Sequence, residues 1–129
     1  MRPQANPSRD DRGAAAVEFA LILPILVLLL FGIFIFGQIF NMQISLTGAA
    51  REGARVMAIH NDWPAAEAAT IAAAPSVTNP EPVATRSPLA CSPGEDITVT
   101  ASRAVTYDIP LFGEVTLTLR GEGVMRCGG

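Results

Sequence analysis

From Phe19 to Gly37 the chain carries no polar side chain, and no charge occurs between Glu18 and Arg51. As an α-helix rising 1.5 Å per residue, this run would be about 28 Å long, close to the roughly 30 Å hydrocarbon core of a bilayer. A soluble core helix of that length would need a body around it, and the rest of a 129-residue chain is too small to supply one. The run therefore predicts a single membrane span. Pro24 lies inside it, frees the carbonyl of Ala20 and invites a kink. Membrane helices tolerate such a proline where neighbours or water satisfy the freed group.

The charges around the run set its expected orientation. All 9 basic residues are arginine. Arg2, Arg9 and Arg12 precede the run, whereas Arg51 and Arg55 follow at a distance, which favours a cytoplasmic N-terminus. A net charge of −3 with no basic cluster does not point to nucleic acid, and no nucleic-acid partner is expected. Glu18 sits at the head of the apolar run, where a carboxylate is costly and ionisable residues mark function. The alternative is a carboxylate at the interface that reaches out to the headgroups.

Beyond Gly37 the pattern turns amphipathic without a helix breaker. Ile39, Met42, Leu46, Ala49, Gly53 and Val56 recur at 3–4 spacing and form one stripe. The helix is expected to leave the membrane and continue to about Ile59. Small Ala49 and Gly53 would let another backbone approach, and the chain's own head is the favoured occupant of the stripe. Glu52 and Arg55 are spaced to pair on the solvated side. Asp62 can cap a second, alanine-rich helix over Ala65–Ala74, with Pro64 in its first turn. Trp63 is equally suited to an interface or to packing at that helix start. His60 has no companion ligand nearby and reads as a helix-end residue.

Pro75, Pro80, Pro82, Pro88 and Pro93 mark an irregular linker over residues 75–93. The period then changes. Ile97, Val99 and Ala101 alternate with Thr98, Thr100 and Ser102, and Val105, Tyr107 and Ile109 continue the pattern. Val115, Leu117 and Leu119 alternate with Thr116, Thr118 and Arg120. Pro110-Leu111-Phe112-Gly113 reads as the turn between them, folding under the sheet or offering an apolar contact tip. Gly121 and Gly123 are expected to loosen the end of the last strand. The fold class is therefore α+β: a long N-terminal transmembrane helix, then a small head with a short helix and an antiparallel hairpin or three-stranded sheet. The domain plan is a leader over residues 1–13, the transmembrane and juxtamembrane helix over 14–59, and an extracytoplasmic head over 60–129.

Cys91 and Cys127 are the only 2 cysteines. In an oxidising compartment they can form a disulfide contributing roughly 3–4 kcal/mol by loop entropy. Two cysteines and 1 histidine are too few for a structural zinc site. No phosphate-binding glycine loop, metal-ligand spacing or nucleophile elbow is present, so no catalytic residue, metal or cofactor is expected.

Arg12-Gly13-Ala14-Ala15-Ala16-Val17-Glu18-Phe19, then Leu23-Pro24, then Ala50-Arg51-Glu52-Gly53-Ala54-Arg55 carry a family resemblance. Over roughly residues 12–56 the chain resembles the TadE-like family of tight-adherence (Flp-type) pilus assembly proteins. These are similar to type IV pilins in their N-terminal segment. The resemblance implies a pilin- or pseudopilin-like protein of the bacterial inner membrane, with other pilins or pilus assembly proteins as partners. It implies cleavage by a prepilin peptidase between Gly13 and Ala14; a glycine lets a peptidase approach the backbone closely. Ala14 would then carry a new amine, and Glu18, followed by Phe19, could pair with the amine of a neighbouring subunit during assembly. Rival readings are a minor pseudopilin of a secretion system, an unprocessed single-pass anchor for an extracytoplasmic binding domain, and a secreted protein with an ordinary signal peptide.

Overall fold

Strong helix formers dominate from Ala14 onward, and the first glycine after Gly13 is Gly32. The computed structural model, which describes residues 7–109 and 112–128 and side chains from Gly13 onward, makes this stretch part of a 54-residue helix, α1, Pro7–His60. Its start differs from the expected one at Ala14. A proline has the φ of a first helical residue and lacks an N–H that would go unbonded there, so Pro7 can open the helix earlier. The chain divides into two units, Met1–Gly37 and Gln38–Gly129. In the first, the apolar window of α1 contains no buried residue, and Pro24 is accommodated within the helix.

The second unit holds the remainder of α1, then α2 (Trp63–Ala72), β1 (Val83–Ser87), β2 (Asp96–Ile109) and β3 (Gly113–Arg126). The strands form one antiparallel sheet in the order β1-β2-β3. The expected α+β architecture is thus the observed one. At the end of α1, Asn61 turns left-handed at φ 50, an angle that asparagine tolerates better than most residues. Its N–H donates to the Met57 carbonyl at 2.9 Å, and its Oδ1 accepts the Cys91 N–H at 2.8 Å. Asp62 precedes α2, but its side chain makes no capping bond. Pro64 removes one of the early N–H groups that such a cap would serve. The Asp62 carbonyl accepts the Ala66 N–H at 3.0 Å, the first bond of the helix.

The region read as an irregular linker contains β1, a strand missing from the sequence reading. Its five residues lie between Pro82 and Pro88, and prolines are compatible with the ends of an edge strand. Proline density hid the alternation of Ala84 and Arg86 with Val83, Thr85 and Ser87. β1 pairs with β2 from Val83↔Ser102 to Ser87↔Thr98. The Arg103 Nη2 donates to the Asn79 carbonyl and ties the preceding loop to β2.

β2 and β3 pair along 14 residues each, from Asp96↔Arg126 to Ile109↔Gly113. The turn between them is closed by the Phe112 N–H donating to the Ile109 carbonyl at 3.0 Å, with Gly113 left-handed at φ 80. Pro110 and Leu111 of the expected turn lie outside the described residues. One sheet face carries Ile97, Val99, Ala101 and Val105, all buried, and packs with Leu46, Ala49, Ala50 and Met57 of α1 and Ala66 of α2. Full burial of a side chain such as Leu46, Met57, Ile97 or Val99 contributes about 1.5–3 kcal/mol. Cys91 and Cys127 form the expected disulfide, with a Cα–Cα distance of 5.6 Å, and so join the segment after β1 to the end of β3.

Candidate functional site

Two stretches of α1 carry the residues singled out by sequence. The first is Gly13 to Phe19. Gly13 has open space where a Cβ would stand, and Ala14, Glu18 and Phe19 are exposed. Gly13 and Ala14 lie within the helix, so the peptide between them is in α conformation rather than extended. Glu18 follows Ala14 at i, i+4, which places both on one face of α1. Among the described residues, no salt bridge reaches Glu18. Residues 1–6 lie outside the described residues, as do the side chains of Arg9 and Arg12, on which the orientation argument also rests.

The second stretch is the head-facing stripe. Leu46, Ala49 and Gly53 are buried, as are Ala50, Ala54 and Met57 beside them. The stripe therefore docks the chain's own head. What allows the close approach is partly on the other side. A Cβ on Gly121 would overlap the backbone of Leu46 and Thr47, and one on Gly123 would stand 2.5 Å from the Ala50 carbonyl. Gly53 faces Thr70 of α2 in the same way: a Cβ there would overlap the Thr70 Oγ1 and lie 3.2 Å from Val99. The buried Thr70 hydroxyl donates to the Ala66 carbonyl at 2.8 Å.

This corrects the expectation for Gly121 and Gly123. They do not loosen β3, which continues through both to Arg126. Two glycines at i, i+2 share one face of a strand. Paired with a small-residue helix stripe, they were the available signal for a helix laid against that face. Further along α1, the Gln43 Nε2 donates to the Arg120 carbonyl at 2.7 Å, adding a polar tie at the edge of β3.

The remaining candidates have structural surroundings. Arg55 Nη2 meets Glu52 Oε1 at 2.6 Å, the expected i, i+3 pair. The hydrogen bond from Arg55 holds the Glu52 carboxyl below its ordinary range, and the same bond raises the Arg55 guanidinium. Trp63 is half-buried beside the Met57–Ile97 cluster, and the Arg86 guanidinium stands 4.7 Å from its ring centroid. Trp63 thus packs within the head. Arg51 and His60 are exposed. An open groove of about 300 Å³, lined by Gln38, Asn41, Met42 and Ser76, contains no ionisable side chain. Among the described residues, no group of three or more His, Cys, Asp or Glu is placed to hold a metal ion.

A helix of membrane-spanning length and composition, followed by a small disulfide-linked α+β head, is consistent with the class of single-pass membrane proteins. Within that class, residues 13–55 match the family model described as TadE-like protein. The match runs from Gly13 to Arg55 and takes in Glu18, Leu23-Pro24 and Ala50–Arg55. No curated protein and no solved structure matches the chain.

Proposed function

We propose that this chain is a minor pilin or pseudopilin-like component in the assembly of a tight-adherence pilus. In this reading it lies in the bacterial inner membrane with its N-terminus in the cytoplasm and its head outside. A prepilin peptidase removes residues 1–13. Its work is binding rather than catalysis: the apolar helix holds the subunit in the bilayer and offers a packing surface to pilins. The observation that carries the proposal is the TadE-like match over residues 13–55, which contains Gly13, Glu18 and the apolar run together.

The physical logic starts from the cost of Glu18. An unpaired carboxylate entering an apolar bundle loses hydration worth several kcal/mol. Cleavage after Gly13 creates an ammonium on Ala14, and that charge, on a neighbouring subunit, offsets part of the loss. Exposure of Glu18 and the absence of buried residues in the apolar window support this reading.

The test is the mature N-terminus. Intact mass of the membrane-extracted protein should begin at Ala14, and Gly13→Leu should retain the longer form. Identical N-termini in wild type and variant would remove processing from the proposal. Given processing, Glu18→Ala should abolish pilus formation, and unchanged pili would remove the assembly role. One observation favours a second reading, an unprocessed anchor: the Gly13–Ala14 peptide is helical and would have to open to reach a peptidase. A wild-type mass starting at Met1 would support it.

A further inference from the structure

The sheet has two outer strands, and they differ in how well they are protected. β1 is 5 residues long and lies between Pro82 and Pro88. Shortness and prolines keep an edge from pairing with another chain. β3 is 14 residues long, contains neither proline nor lysine, and keeps an unbroken register with β2. Among the described residues it pairs with β2 alone. Toward Arg126, α1 lies against it: Gly121 meets the backbone of Leu46 and Thr47, and Gly123 that of Ala50 and Arg51. These two contacts set β3 running in the same direction as α1. Toward Gly113 the strand is open, and residues 113–118 are all exposed. A long strand with one unpaired side is a template for another strand.

The open stretch is complementary to itself. From Gly113 to Gly121 it reads Gly-Glu-Val-Thr-Leu-Thr-Leu-Arg-Gly, a palindrome of residue types about Leu117. Laid antiparallel on a copy of itself with Leu117 opposite Leu117, it sets Thr116 against Thr118, Val115 against Leu119 and Glu114 against Arg120. Threonine pairs, aliphatic pairs and opposite charges are cross-strand combinations that stabilise a sheet. The faces match too: Val115, Leu117 and Leu119 share one face, and Glu114, Thr116, Thr118 and Arg120 the other.

A second observation comes from β2. Asp108 stands directly opposite Glu114, and like charges so placed repel. Among the described residues, neither Glu114 nor Arg120 takes part in a salt bridge. Arg120 of the same strand lies about 20 Å from Glu114 at 3.3 Å per residue, too far to relieve the repulsion. An arginine on the open side of Glu114 has to come from another chain.

We propose that a second copy of this chain pairs with β3, edge to edge and antiparallel, on a two-fold axis at Leu117, so that the two sheets become one. Each copy's Arg120 then stands beside the other's Glu114. The proposal concerns the head alone and is independent of processing after Gly13 and of the pilus role.

Cysteine cross-linking of the full chain in detergent micelles tests this. Leu117→Cys puts a thiol on the axis, where opposed Cβ atoms about 4.5–5.5 Å apart come within reach of a disulfide. Val124→Cys is the control: Val124 is 57 % exposed against 40 % for Leu117, and it lies on β3 beyond the paired stretch. Under mild oxidant, Leu117→Cys is expected to give several-fold more linked dimer than Val124→Cys. Adding Glu114→Arg sets arginine against arginine across the axis while removing the clash with Asp108, so the linked dimer should fall several-fold with the head still folded. Adding Arg120→Glu as well should restore it. Equal linking at 117 and 124 would mean association through the apolar helix or by collision, and overturns the proposal. Linking that ignores Glu114→Arg, or that the double reversal fails to restore, overturns it as well.

Discussion

Gly123→Ala tests how α1 is held against the sheet. The added Cβ would stand 2.5 Å from the Ala50 carbonyl carbon and oxygen and from the Arg51 nitrogen. Carbon atoms in good contact lie about 3.5–4.0 Å apart, so the shortfall is about 1 Å. The obstructing atoms are helix backbone and cannot rotate away. Relief requires α1 to lift by about that amount, and a gap of 0.5–1 Å forfeits roughly a quarter to a half of each contact's dispersion energy. Leu46, Ala49 and Ala50 would all lose contact with Ala101 and its neighbours. Overpacking of this sort costs about 1–3 kcal/mol, and the rigid obstruction argues for the upper half of that range. For a head of roughly 90 residues, the unfolding midpoint should fall by roughly 10–20 °C. Thermal unfolding of the full chain in detergent micelles, followed by the emission of half-buried Trp63, reads this directly. Gly48→Ala is the control: its Cβ meets nothing within 4 Å, and the same change in a helix interior should stabilise by about 1 kcal/mol. Without a steric obstacle, Gly123→Ala would also stabilise, since glycine in a strand is entropically costly. A neutral or raised midpoint for Gly123→Ala would therefore refute the close-approach argument.

Two further perturbations address the head. Reduction of Cys91–Cys127, or Cys91→Ser, should lower stability by about 3–4 kcal/mol, read as a shift in the urea midpoint with and without reductant; an unchanged midpoint would show that the bridge constrains nothing. The Glu52 carboxyl is held below its ordinary range by Arg55, so its contribution to stability is present above the unfolded pKa and is lost as pH falls through the folded one. Because the pair is solvent-exposed, the effect should be small and salt-sensitive. Wild type should exceed Glu52→Gln slightly at pH 7 in low salt, and the two should converge in strong acid. A difference that persists there would assign it to packing instead.

The legible parts of the fold were those with a period. The apolar run, the 3–4 stripe from Ile39 to Val56 and the alternation of Ile97–Ser102 each declared an element, because side-chain direction repeats every 3.6 residues in a helix and every two in a strand. β1 was hidden because its five residues sit between prolines, and proline speaks about the backbone ends rather than about what pairs between them. Asp62 was read as a cap; it takes the N-cap position of α2, but its side chain makes no capping bond.

Glycine marks the division most clearly. The reading proposed for Gly13 draws only on its neighbours in the chain, Ala14 and Glu18. At Gly121 and Gly123 it does not: a glycine in a strand is a weak point until a helix lies across it, and only the packing of Leu46–Arg51 on that face shows why a side chain is excluded. By itself, the sequence determined the membrane-length helix, the α+β content, the pairing of the two cysteines and the Gly13–Glu18 spacing, all of which depend on residues near in sequence or few in number. Tertiary structure decided the third strand and the direction of β3 along α1. Those depend on the distances between elements, which arise only when the small residues of helix and sheet meet.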